Sequence, residues 1–274
     1  MSTVTILHTN DLHAHFEAMT RLATLIQHER AQAHSEGRPL LLLDAGDSAS
    51  ANSWESNVTQ GRANYILLEA MGYDAAVIGN TDSQWGSTAL TRLLTTVHFP
   101  LLAANLRAAD PSLKTSEVLK TSEVSIALIG LTTHEETHAD FRFDDPIATA
   151  RALIPQLRNE GAQLIIVLSH LGIEADRQLA ASVSGIHLIV GGHTHTTLAQ
   201  PEFSGATAIV QTGEFGNNLG RVDLEFDPTS GDARLRHYQL IPCTDKIPPD
   251  PTVSGMLELI QFEAEIIRKR QVVK

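Results

Sequence analysis

At 274 residues, with 42% hydrophobic and 19% charged residues, the chain is one large domain or two small ones and not a disordered polymer. No apolar run approaches the ~18 residues a membrane helix needs, and the single cysteine, Cys243, excludes internal disulfides and thiolate metal cages. A formal net charge of −12 excludes a general nucleic-acid backbone binder and repels phosphorylated ligands at long range, so a phosphate ligand requires a local positive field.

The opening Met1–Leu7 lacks a basic region, a long apolar stretch and a cleavage site, so it reads as a strand and points to the cytoplasm. Val4–His8 alternates as a strand, and Ala18–Gln32 carries Leu22, Leu25 and Ile26 at helical spacing. Leu40–Leu43 is a short strand running into Asp44-Ala45-Gly46-Asp47. Ala63–Met71 is helical and Gly72 stops it; Ala75–Ile78 is a strand before Gly79-Asn80. A helix over Ser87–Thr95 and a strand at Leu101–Ala104 follow. The hexapeptide Leu-Lys-Thr-Ser-Glu-Val occurs twice in tandem, Leu113–Val118 and Leu119–Val124, too few copies for a solenoid and consistent with a short hairpin or a local duplication. Ile126–Leu131 is strand-like. Helices at Ile147–Asn159 and Ala175–Val183 alternate with strands at Leu164–Ser169 and His187–Val190, which argues for an α/β sheet. Ala206–Gln211, Gly220–Phe226 and Ala233–Ile241 read as an antiparallel meander added to the parallel part. A Pro-rich connector, Pro242–Pro251, leads to an amphipathic helix with Val253, Met256, Leu257, Ile260, Ala264 and Ile267 on one stripe. The expected division is residues 1–245 as one domain and 246–274 as connector and helix, the helix packing on its own domain, on a partner or further domain, or on a second copy.

Thirteen histidines direct attention to metals. Ligands gather at the carboxyl ends of parallel strands in open α/β sheets. Five such ends carry oxygen or imidazole donors: Asp11 and His13, Asp47, Asn80, His170, and His193 with His195. The set is mixed in hardness and free of thiolate, which suits Mn, Fe, Co or Zn better than Ca. Asp11 and His13 are two residues apart, as are His193 and His195, so in extended chain each pair points one way. Glycines before Asp47, Asn80 and His193 let the backbone turn and come close to ions.

The stretch Ile6-Leu7-His8-Thr9-Asn10-Asp11-Leu12-His13-Ala14-His15, together with Gly191-Gly192-His193-Thr194-His195, resembles the calcineurin-like metallophosphoesterases, in particular the amino-terminal domain of the 5′-nucleotidase and UDP-sugar hydrolase family. The resemblance covers nearly the whole chain. It implies an α/β fold, a four-layer α/β/β/α sandwich with two mixed sheets. It implies two divalent metal ions, one held by Asp11, His13, Asp47 and His195, the other by Asp47, Asn80, His170 and His193, with Asp47 bridging. The implied reaction is phosphoester hydrolysis of a small phosphorylated substrate by in-line attack without a covalent enzyme intermediate.

Two departures from the family pattern matter. The family has Gly-Asn-His with an Asp partner three residues after the His; here Thr81 replaces that acid and Gln84 its partner. Threonine donates no proton usefully at neutral pH, and general acid–base help is worth ~10²–10⁴-fold. The expected consequence is a preference for diesters or activated esters; His15, His134 and His138 are candidate substitutes. The alternative is a catalytically impaired metal-binding regulator or scaffold. The second departure is that the family's nucleoside-gripping carboxy-terminal domain has no counterpart in these 274 residues. A competing signature, His134-Glu135-Glu136-Thr137-His138, matches the zinc-protease pattern, which requires a helix that the neighbouring strand and Asp144-Asp145-Pro146 leave little room for.

Overall fold

The computed structural model describes residues 2–107, 113–121, 123–135, 137–227 and 232–272. The first half of the chain runs β1 (Ser2–Thr9), α1 (Phe16–Ser35), β2 (Leu40–Asp44), α2 (Trp54–Thr59), α3 (Arg62–Met71), β3 (Ala75–Val77), α4 (Asn80–Ser83), α5 (Ser87–Leu94) and β4 (Leu101–Leu102). Then come β5 (Leu106–Arg107), β6 (Ser116–Lys120), β7 (Ser125–Thr132), β8 (Arg142–Phe143), α6 (Pro146–Asn159), β9 (Leu164–His170), α7 (Ile173–Ser182) and β10 (Leu188–Gly191). The last part holds β11 (Glu202–Ser204), β12 (Thr207–Val210), β13 (Asn218–Phe226), β14 (Ala233–Pro242) and α8 (Pro251–Val272).

Two six-stranded sheets form, in the orders β14-β13-β1-β2-β3-β4 and β11-β12-β10-β9-β7-β6. Both are mixed. In the first, β1 to β4 are parallel while β13 and β14 run antiparallel to their neighbours. In the second, β7, β9, β10 and β12 are parallel and β6 and β11 are the antiparallel edges.

Strand periodicity explains how the layers stack. Val4 and Ile6 of β1, Leu41 and Leu43 of β2, Leu128 of β7, and Ile166 and Leu168 of β9 meet in one core between the sheets. The residues between them face the other way: Leu7 and Leu42 toward α1, α3, α5 and α8, and Ile129, Ile165 and Val167 toward α6 and α7. Near-continuous apolar runs such as Leu164–Leu168 are therefore strands buried on both faces, each aliphatic side chain contributing about 1.5–3 kcal/mol. The result is the four-layer α/β/β/α sandwich.

Local signals set several boundaries. Asp145 caps α6 by accepting from the Ala148 N–H at 2.6 Å, with Pro146 at the first helical position. α8 seats Val253 and Ile260 in the core shared with α1 and α3, and Ala264 is fully buried. Arg62 of α3 pairs with Glu263 of α8 at 2.5 Å. No helix among the described residues is long and apolar enough to cross a membrane.

One expectation changes. The last strands are not one meander: β12 joins the second sheet parallel to β10, while β13 joins the first antiparallel to β1. Alternation distinguishes strand from helix but not which sheet a strand enters, and the turn at 213–217 carries the chain from one sheet to the other. The expected short hairpin is present at the tandem hexapeptide, formed by β6 and β7. β6 spans the junction of the two copies and pairs with β7, from Ser116 opposite Ile129 to Lys120 opposite Ser125; Ser122 of the second copy lies outside the described residues.

Candidate metal centre

The carboxyl ends of β1, β2 and β3 in one sheet meet those of β9 and β10 in the other, and seven predicted side chains converge there. Asp11 Oδ1 lies 3.7 Å from His13 Nε2 and 3.4 Å from His195 Nε2, and the two imidazole nitrogens are 3.0 Å apart. Asp47 reaches both sides, Oδ2 at 3.8 Å from His13 Nε2 and Oδ1 at 3.3 Å from His170 Nε2. Asn80 Oδ1 is met by His170 Nε2 at 3.2 Å and His193 Nδ1 at 3.1 Å. Two triads, Asp11–His13–His195 and Asp11–Asp47–His170, each offer ligand atoms within 4.8 Å of one another.

The donor set fits divalent ions. Asp11 and Asp47 are buried carboxylates whose ion-pair partners among the described residues are histidines, not lysine or arginine. Unneutralised carboxylates in so dry a place are costly unless a cation joins them. Their charge shows in His170. Burial alone pushes its pKa down, but Asp47 and Asp11 outweigh that and hold it well above its ordinary 6.5. The floor is closed and the rim open: His170 is fully buried, while the side chains of His13, His193 and His195 are 14%, 19% and 35% exposed.

Convergence is not achieved by extended chain. Asp11, His13, Asp47, His193 and His195 all have positive φ, between 44° and 76°. Each such residue costs of order 1–3 kcal/mol and persists only where its surroundings over-determine it. Here backbone bonds do so: Asp11 N–H to Gly46 O, His13 N–H to Asp47 O and Ala14 N–H to Ser48 O, each 2.9 Å. Extended chain is the expected reason for each pair of residues two apart to point one way; left-handed turns aim these side chains instead.

Close approach explains the glycine before Asn80. A Cβ on Gly79 would stand 2.1 Å from Asp47 Oδ1 and 2.5 Å from Asp47 N. Gly79→Ala is expected to displace Asp47, lowering stability by about 1–3 kcal/mol and weakening Mn²⁺ uptake. Urea denaturation with and without Mn²⁺ checks this; unchanged metal-induced stabilisation contradicts it.

The substituted acid position has its hydrogen-bonding groups already committed. Thr81 donates its hydroxyl to Ala49 O at 2.7 Å, and its backbone N–H donates to Asp47 Oδ1 at 2.9 Å. Gln84 gives its amide N–H to Thr81 O at 2.5 Å, so neither side chain forms an acid pair. Of the candidate substitutes, His15 reaches the neighbourhood of the centre. It stacks on Phe215 with centroids 4.1 Å apart, and Phe215 presents its edge to His13 and His195. His134 lies beside Phe143 and His138 beside Asp140 and Phe141, and neither joins the cluster. The protease pattern is not on a helix in the described residues around it.

Several residues outside the predicted ligand set support the centre. Asp82 braces two metal loops at once, accepting from Asp47 N–H and Gly79 N–H at 2.8 Å each and from Ala49 N–H at 2.9 Å. Burial, then the charge of Asp47, pushes it up to about 6. Asn10 ties Asp11 to the later turn, donating to Asp11 Oδ2 at 2.7 Å and Gly213 O at 2.6 Å. Glu135 stands behind His193 and Glu214 behind His195. Asp82 is visible beside Asn80 in sequence; Glu214 has no signal at all.

Asp44 lies below the centre, accepting from the Thr9 hydroxyl at 2.6 Å and the Gly46 N–H at 3.0 Å. Burial raises its pKa from 3.8 to about 8. In the unfolded chain it ionises near the ordinary value, so folding takes up a proton between about pH 4 and pH 8. Its stabilising contribution is complete below that window and is lost as pH rises through it. Asp44→Asn in chelator-treated protein is therefore expected to flatten the fall in denaturation midpoint across the window; an unchanged slope contradicts the assignment.

A model of the family described as calcineurin-like phosphoesterase matches residues 4–197. The chain is 28% identical over 315 residues to the trifunctional nucleotide phosphoesterase protein YfkN of Bacillus subtilis, covering 98% of this chain and 21% of that protein. It is 30% identical over 301 residues to the 5′-nucleotidase of Bos taurus, covering 92% and 51%. Among solved structures, the Haemophilus influenzae NAD nucleotidase NadN superposes with a TM-score of 0.83 at 20% identity, covering 96% of this chain and 60% of that one. The chain thus spans about half or less of the length of these curated relatives.

Proposed function

Because the chain belongs to the calcineurin-like phosphoesterase family, we propose that it hydrolyses phosphoesters at a centre of two divalent ions. Asp11, His13, Asp47 and His195 hold one ion; Asp47, Asn80, His170 and His193 hold the other. The observation that carries this reading is the reach of Asp47, whose two oxygens face His13 on one side and His170 on the other.

Bound divalent ions supply Lewis acidity toward phosphate oxygens and a nucleophile at neutral pH. The chain's own residues do the rest. Asp11, Asp47 and His170 form a floor sealed from solvent, where electrostatic interactions are stronger than in water. The exposed edges of His13, His193 and His195 leave the rim open to a phosphate. Thr81, with its hydroxyl committed to Ala49 O, offers no proton to a leaving group. The reaction therefore favours leaving groups that depart as stable anions, and diesters over alkyl monoesters. The names of the relatives make a nucleotide-derived ester a reasonable first substrate class to screen.

The test is Mn²⁺-dependent hydrolysis of bis-p-nitrophenyl phosphate beside p-nitrophenyl phosphate. Chelator-sensitive turnover with the diester favoured is the expected result. No turnover of either ester by metal-loaded protein would favour a regulator that keeps the site without the chemistry, a reading motivated by the lost acid pair at Thr81 and Gln84.

A further inference from the structure

We propose that Glu135 and Glu214 are paired positioning residues, each gripping the outward nitrogen of one histidine in the Gly191–His195 turn so that the inward nitrogen faces its ion; this rests on the metal-centre reading above. His193 and His195 use opposite ring atoms. His193 turns Nδ1 toward Asn80 Oδ1 and Nε2 toward Glu135 Oε2, both at 3.1 Å. His195 turns Nε2 toward Asp11 and Nδ1 toward Glu214 Oε2, at 3.4 Å and 2.5 Å.

The need for a grip follows from the fold. His170 sits at the buried end of β9, and its outward Nδ1 already meets Ala45 O at 2.7 Å. His193 and His195 lie on a left-handed turn at the more open rim; His170 packs against the ring of His193, and His13 and Phe215 against that of His195, but among the described residues no backbone carbonyl takes the outward nitrogen of either as Ala45 O does for His170. The two carboxylates come from different places, Glu135 from the loop after β7 and Glu214 from the turn between β12 and β13. Among the described residues neither pairs with a lysine or arginine. A carboxylate behind a ligating histidine fixes its tautomer and raises its basicity. The arrangement assigns the ring proton of His193 to Nε2 and that of His195 to Nδ1. It also gives Glu135 a role unrelated to the protease pattern it sits in, since His134 and His138 are directed elsewhere.

Mn²⁺ titration of metal-free protein, with free ion counted by electron paramagnetic resonance, tests this in Glu135→Ala, Glu214→Ala and the two Glu→Gln variants. Each Ala variant is expected to weaken one of two binding steps by about 10–100-fold, and the double variant to weaken both. Gln, whose amide oxygen still accepts the ring N–H, recovers part of the loss. The metal-free melting temperatures should match wild type, which separates positioning from folding. Isotherms superimposing on wild type, or losses tracked by a lower metal-free melting temperature with no recovery by Gln, overturn the proposal. A wild-type isotherm showing no Mn²⁺ uptake is a different failure, because it removes the metal centre itself and this proposal with it.

Discussion

Replacing Asp47 by alanine is expected to reduce phosphoester turnover by more than the ~10²–10³-fold that losing one preorganised electrostatic group costs. The reason is geometric. Asp47 faces His13 with one oxygen and His170 with the other, so on the proposed two-ion reading its removal takes a ligand from both ions. It also removes the acceptor of the Thr81 N–H and so loosens the start of α4, which carries Asn80. Steady-state kinetics in saturating Mn²⁺, with metal content measured on the same samples, check the expectation. Full metal content and turnover within tenfold of wild type would show that Asp47 does not bridge.

The second large effect is a gain. Thr81→His combined with Gln84→Asp restores an imidazole and its carboxylate partner at the family's acid position. General acid help of this kind is worth ~10²–10⁴-fold, or about 3–5 kcal/mol of barrier. The gain should appear with an alkyl monoester such as glycerol phosphate, whose leaving group needs a proton. It should be much smaller with p-nitrophenyl phosphate, whose leaving group does not. Equal gains on both esters, or none on either, contradict the view that Thr81 is the missing acid. The alternative, in which residue 81 only packs, predicts no ester dependence.

Much of this is legible in the chain because the chemistry follows strand ends. Asp11, Asp47, Asn80, His170 and the His193/His195 pair each stand just after an apolar run, and apolar runs are what strand periodicity reports. What stays hidden depends on how the backbone turns after each strand. No pattern announces that Asp11 and His195 take left-handed φ; at Asp11 and its neighbours the hydrogen bonds that offset the cost come from Gly46, Asp47 and Ser48, distant in sequence. The six-residue helix α2 is too short for a periodic signal. β12 and β13 read correctly as strands but wrongly as one meander, because sheet membership is a tertiary choice. Glu135 draws attention for the wrong reason. Its protease-like spacing is a coincidence of sequence, and its contact is with a histidine 58 residues away.

Whether two ions share Asp47 is decided in a metal-loaded crystal. The most direct measurement is anomalous diffraction at the manganese edge from crystals soaked in Mn²⁺. Two peaks are expected, one contacted by Asp11, His13 and His195, the other by Asn80, His170 and His193, with a different oxygen of Asp47 touching each or one oxygen touching both. A single peak, or two peaks of which only one contacts Asp47, would contradict a shared Asp47.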